Sequence, residues 1–165
     1  MLADGHRGAD GFGAHVLRGR LDILALIAAG GAVGSAARYG VAEALPHEPG
    51  EVAWSTFAVN VTGGFLLGLL MVFVLDLWPP SRYLRPFFGV GVLGGFTTFS
   101  TYMLDTHALL AAGEVVAALT YVLGTLVVGI AAVWLGVFAA RCLNPPPGRD
   151  ARTRTASFHP TQDDV

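Results

Sequence analysis

Between Gly89 and Met103 the chain reads GVGVLGGFTTFSTYM, which places four glycines, four serine or threonine residues and three aromatics in a segment otherwise apolar enough to cross a bilayer. Hydroxyl groups both donate and accept hydrogen bonds, and an aromatic ring carries positive charge at its edge. Each glycine weakens a helix by about 1 kcal/mol relative to alanine. In hydrocarbon, backbone groups released from a helix are costly, so a broken span persists only where the break is buried in protein or lines a pathway. The spacing predicts an interruption among Gly89, Gly91, Gly94 and Gly95, in a chain that moves or holds something small within a membrane.

Polar groups at helical spacing accompany this segment. Thr56, Asn60, Gly64 and Gly68 recur every four residues, so they share one face of a helix that joins small contact residues to an amide able to donate and accept. Gly30, Gly34 and Arg38 repeat the spacing, and Arg38 is the one arginine away from the very edge of an apolar window, a functional suspect by position. Tyr121 and Thr125 place two hydroxyls one turn apart. Structural uses compete with each of these. Asn60 can tie two helices together, Arg38 can anchor a helix end, Tyr121 and Thr125 can bond within their own helix, and Phe96, Phe99 and Tyr102 can form a packing stripe.

These residues need apolar elements to hold them, and the composition supplies them. Of 165 residues, 53% are hydrophobic and 13% charged. Four apolar windows of about 20 residues or more can be drawn, the length that crosses ~30 Å of hydrocarbon: roughly 21–41, 52–77, 84–110 and 115–140. The expected fold is an all-α membrane protein of four transmembrane helices, with the third broken. The first window is too long for a signal-peptide core and contains Arg38, which argues against a cleaved leader. Residues 1–20 and 142–165 read as disordered tails around a membrane domain at 21–141. Short links around Pro46, Pro49 and Gly50, around Pro79 and Pro80, and around Gly113 make neighbouring spans antiparallel.

Charge placement sets the orientation. Nine of the ten arginines, and no lysine, fall on the tails and the middle link, while the other two links carry Glu43, Glu48, Glu51 and Glu114. By the positive-inside rule both termini face the cytoplasm of a cell-membrane protein.

Other chemistries find little support. Gly89, Gly91 and Gly94 match a dinucleotide fingerprint without its strand–turn–helix setting. The Asn60–Thr62 glycosylation triplet lies in mid-membrane. The single Cys142 forms no intrachain disulfide, and the five histidines do not cluster with other ligands. No enzyme activity and no nucleic-acid partner are expected.

The run Gly94-Gly95-Phe96-Thr97-Thr98-Phe99-Ser100-Thr101-Tyr102 resembles the signature of the Fluc-type fluoride channels, the CrcB family. Gly30 to Arg38 in the first window and Thr56 to Gly63 in the second agree with it. The resemblance covers roughly residues 21–141. It implies an antiparallel dimer with two narrow pores that let fluoride leave the cytoplasm passively, limiting its toxicity. It implies that Asn60, Phe99 and Tyr102 line the pore, with Ser100 and Thr125 on its polar track. Tyr102 stands where the family usually has phenylalanine. The resemblance also implies that the carbonyls of Gly94 and Thr97 hold a structural, non-transported sodium ion, and it leaves Arg38 as a candidate for an anion vestibule.

The strong charge bias departs from family members that insert both ways, so one fixed orientation and an oppositely oriented paralogue as partner are expected, with a homodimer as the alternative. Two further classes compete: a small proton-coupled exporter, which needs a membrane-embedded carboxylate such as Asp22, Asp76 or Asp105, and a partner subunit lacking full pore activity.

Overall fold

The computed structural model describes residues 7–74 and 81–144, with side chains from Arg20 onward. The Pro79–Pro80 link, Asp76 and residues 145–165 lie outside the described residues. All regular structure among the described residues is helical: α1 (Arg7–Ala44), α2 (Trp54–Val72), a π segment (Arg85–Leu93), α3 (Gly94–Phe96), α4 (Phe99–Ala111) and α5 (Val115–Leu143). Four candidate spans result, Arg20–Ala44, Trp54–Val72, Arg85–Ala111 and Val115–Leu143, each long and apolar enough to cross a membrane. They fall within a few residues of the expected windows.

One boundary differs from expectation. Helix α1 runs back to Arg7, through residues whose polar, glycine-bearing composition reads as tail. Extending an established helix avoids the cost of nucleation, so weak formers can continue it.

Several hydroxyl side chains join the apolar core, while many large apolar side chains lie outside. Ser55, Thr56, Thr98 and Thr125 are buried, while Val116, Trp134, Leu104 and Phe138 lie exposed. A soluble fold would bury the second group; a bilayer solvates it.

The two most extensive helix pairings skip neighbours in sequence. Helix α1 packs on the π segment and α3, and α2 packs on α5, whereas contacts between these two pairs are sparse. Glycines allow both approaches. A methyl group on Gly30 would lie 2.5 Å from the Phe87 carbonyl oxygen and one on Gly91 2.8 Å from that of Ile27, and a methyl on Gly34 would strike the Val92 carbonyl. On the other pair, Gly68 and Gly136 meet the backbones of Val133 and Phe65 as closely. Without a hydrophobic force between helices in lipid, such close backbone contact is the main source of association.

The third span is interrupted, but not at its glycines. All four lie in helical turns, first in the wide π segment, a rare form associated with functional sites, and then in α3. The chain extends instead at Thr97 (φ −76°, ψ 157°) and Thr98 (φ −148°, ψ 124°) before re-entering helix at Phe99. Close packing on α1 compensates the weak helical preference of Gly91 and Gly95. The tight turn before α5 uses Gly113 at φ +82°, a conformation open to glycine at little cost.

Candidate functional site

A single side chain on α2 holds the break open. Asn60 donates from Nδ2 to the Thr98 carbonyl at 2.9 Å and accepts the Thr98 amide on Oδ1 at 2.9 Å. In a continuous helix that amide would bond to the Gly94 carbonyl four residues back. Thr98 Oγ1 then accepts the Thr101 amide at 3.2 Å, an N-cap that starts α4. The same hydroxyl lies 3.0 Å from Thr101 Oγ1 and 3.3 Å from Ser100 Oγ. The diverted Thr101 amide is the one that a helix would have sent to the Thr97 carbonyl. The break therefore releases the carbonyls of Gly94 and Thr97 from the helical ladder. Thr97 places its own hydroxyl 2.9 Å from the Leu93 carbonyl, and Ser35 reaches the Gly95 carbonyl at 3.4 Å.

Two cavities meet at Thr98. One, of about 380 Å³, runs between α2, the break and α5, lined by Asn60, Thr97, Phe99, Tyr102 and Thr125, with Gly64 and Gly129 beyond. Its walls mix apolar surface with a few convergent polar groups, the composition of a ligand path. Phe99 stands 74% exposed at its rim. Tyr102 is buried, its ring 5.9 Å from that of Phe99 and 5.4 Å from that of Tyr121. Its hydroxyl donates to the Val122 carbonyl at 2.8 Å, so the group that distinguishes it from phenylalanine ties α4 to α5. Thr125 is only 7% exposed, and its hydroxyl has no hydrogen-bond partner among the described residues.

The other cavity, of about 260 Å³, is lined by Ser35, Arg38, His47, Thr56, Thr98 and Thr101, among others. Arg38 is partly buried there. The hydroxyls, the guanidinium and the imidazole make it a pocket of donors suited to an anion.

Of the residues singled out in the sequence, Asn60, Thr97, Phe99, Tyr102 and Thr125 come together around the larger cavity. Ser100 is exposed beside Thr98, Gly94 is exposed with open space beside it, and Arg38 belongs to the second cavity. Sequence reasoning missed Thr98, which sits between the cavities; its place in the FTTFST run was the available signal. It also missed the joint at the middle of α4, where Asp105 lies 3.6 Å from His47 and accepts from the Tyr121 hydroxyl at 3.3 Å.

The family described as "CrcB-like protein, Camphor Resistance (CrcB)" matches residues 25–137. The chain is 52% identical over 119 residues to the fluoride-specific ion channel FluC 2 of Nocardia farcinica, covering 72% of this chain and 85% of the relative. Two proteins of Streptomyces avermitilis are also similar. Its fluoride-specific ion channel FluC 3 is 50% identical over 122 residues, 74% of this chain and 60% of the relative. Its FluC 2 is 48% identical over 108 residues, 66% of this chain and 68% of the relative. The extent and identity of these matches, on a four-span helical chain whose third span breaks at Thr97–Thr98, show that the protein belongs to the CrcB family.

Proposed function

We propose that this chain is a subunit of a fluoride channel, through which cytoplasmic fluoride leaves passively and its toxicity is reduced. One observation carries the reading: Asn60, Phe99, Tyr102 and Thr125 line one cavity, and the buried Thr125 hydroxyl has no hydrogen-bond partner among the described residues. Buried hydroxyls normally find a partner; a donor left over on a residue that lines a cavity is one that a small anion can take once the side chain turns toward it.

Fluoride is small and tightly hydrated, and moving a bare ion into low dielectric costs tens of kcal/mol by Born estimates. The lining must replace water step by step. Phe99 and Tyr102 offer ring edges, Asn60 retains one N–H beyond the one given to Thr98, and Thr125 offers its hydroxyl. Several moderate sites let an ion both arrive and leave. In the orientation with both termini cytoplasmic, the Arg38 pocket lies on the outer side of Thr98 and would receive anions that have passed it.

The released carbonyls of Gly94 and Thr97 suit a hard cation, which takes oxygen ligands, and both residues are accessible in the monomer. We assign them to a structural sodium ion. The ion would neutralise two carbonyl dipoles contributed by each of two chains, and it is not transported. This accords with an antiparallel dimer, in which Phe99 and the exposed Gly94 would be covered by a second subunit. The one-sided arginines favour a single orientation with both termini in the cytoplasm, and hence an oppositely oriented paralogue over a second copy. That two similar proteins occur together in Streptomyces avermitilis supports such a pairing.

An exporter using a membrane carboxylate fits less well, because Asp105 is engaged by His47 and Tyr121 and Asp22 is exposed. Vesicles loaded with fluoride and containing this chain, alone and with its paralogue, test the proposal. Passive fluoride efflux without chloride efflux is expected; tight vesicles in both cases overturn it.

A further inference from the structure

The two helix pairs leave a seam between α2 and the π segment. It holds a cavity of about 340 Å³ walled by Leu66, Leu70 and Phe73 on one side and Phe88, Val92 and Leu93 on the other. No polar side chain lines it. It belongs to neither close-packed pair, so helix packing has not closed it, and it is separate from the cavities at Thr98.

The seam ends at a cation. Arg85, at the start of the third span, reaches across it and donates to the Val74 carbonyl at 2.6 Å. That bond fixes the guanidinium at the mouth of the slot while using one of its five N–H donors. Arg82 lies exposed three residues earlier, with its guanidinium 5.7 Å from the Tyr83 ring. A planar, fixed guanidinium at the end of an apolar slot matches a phosphate joined to a hydrocarbon chain.

From this we propose that the seam is a binding site for an anionic phospholipid, with one acyl chain between α2 and the π segment and its phosphate on Arg85. The charge favours an anionic headgroup over a zwitterionic one, because a second positive group beside Arg85 and Arg82 is repelled.

The full chain, reconstituted in vesicles of equal parts phosphatidylglycerol and phosphatidylcholine and then extracted in mild detergent, gives the test through the lipid it retains. Phosphatidylglycerol should be retained several-fold over phosphatidylcholine. Leu66→Trp, which fills the slot from an exposed position, should remove the retained lipid. Arg85→Gln should abolish the preference for phosphatidylglycerol, and Arg85→Lys should restore part of it. Equal retention of the two lipids, or phosphatidylglycerol retention unaffected by Leu66→Trp, overturns the proposal. So does efficient disulfide cross-linking of Leu66→Cys between two subunits, which would place protein on the seam. Fluoride efflux is read on the same vesicles as a separate quantity, so loss of the lipid site and loss of the channel are distinguishable.

Discussion

Asn60 and Thr98 are joined by two 2.9 Å hydrogen bonds, the side-chain amide of one matching both backbone groups of the other. No other amino acid of that size supplies a donor and an acceptor side by side. Asn60→Asp keeps the acceptor for the Thr98 amide and loses the donor to its carbonyl. Asn60→Leu loses both. The expected result is a stability loss of about 1–3 kcal/mol for the leucine variant, from unsatisfied buried groups, and at least tenfold lower fluoride efflux for both. Wild-type efflux from Asn60→Leu vesicles would show that the break holds without its clamp.

Thr125→Val should separate stability from conduction. Removing a buried hydroxyl that lacks a partner costs the fold nothing and can stabilise it, so thermal unfolding in detergent should stay level or move upward. Fluoride efflux should fall by several-fold. A destabilised variant with normal efflux would mean that the hydroxyl serves the fold.

Tyr102→Phe removes the bond to the Val122 carbonyl and keeps the ring. A loss of about 1 kcal/mol is expected, with fluoride still preferred to chloride in efflux assays. Tyr102→Ala, which deletes the ring edge, should reduce efflux at least tenfold. If Tyr102→Phe alone changes anion preference, the hydroxyl takes part in choosing the ion.

Glycines of the third span should divide into two groups. A methyl group at Gly91 or Gly95 meets the backbone of α1, whereas one at Gly94 meets open space. Gly91→Ala and Gly95→Ala should therefore prevent stable folding, seen as loss of monodisperse protein in size exclusion. Gly94→Ala should fold. A bulky residue at Gly94 or Thr97 should impair dimer formation more than ion preference, read by cross-linking and by efflux; intact dimers with altered selectivity would contradict this.

The arginine distribution leads to an expectation about assembly. Cysteine labelling from either side of the membrane should find the C-terminal tail on the cytoplasmic side only. Expressed alone, the chain should give little fluoride efflux, and coexpression with an oppositely oriented paralogue should restore it. A conducting antiparallel homodimer from the purified chain would overturn the heteromer.

The spans were legible because a stretch of about 20 apolar residues has few other uses, and so was the presence of a break in the third. Its position was not. Glycine content weakens a helix locally, and Gly89 to Gly95 looked like the weak point; in the fold, the backbone of α1 packs against Gly91 and Gly95 and restores what they lack. The opening falls at Thr97 and Thr98 because an amide 38 residues away captures the Thr98 backbone. Such a contact leaves no periodic trace in the sequence. Asn60, Phe99, Tyr102 and Thr125, singled out by the family resemblance, line one cavity. Thr98 and the His47–Asp105–Tyr121 joint escaped, since their significance lies in which loop folds back onto which helix.

The interleaved pairing of helices has a consequence for biogenesis. Helix α1 meets its main partner only after the third span has been synthesised, and α2, although Asn60 reaches Thr98 in the third span, finds its larger interface only with the fourth. Each early helix must therefore reside in the bilayer without its main packing partner while later ones emerge. Flanking charge acts before those main interfaces exist, so if it sets the topology, the arginines are the earliest architectural decision the ribosome delivers.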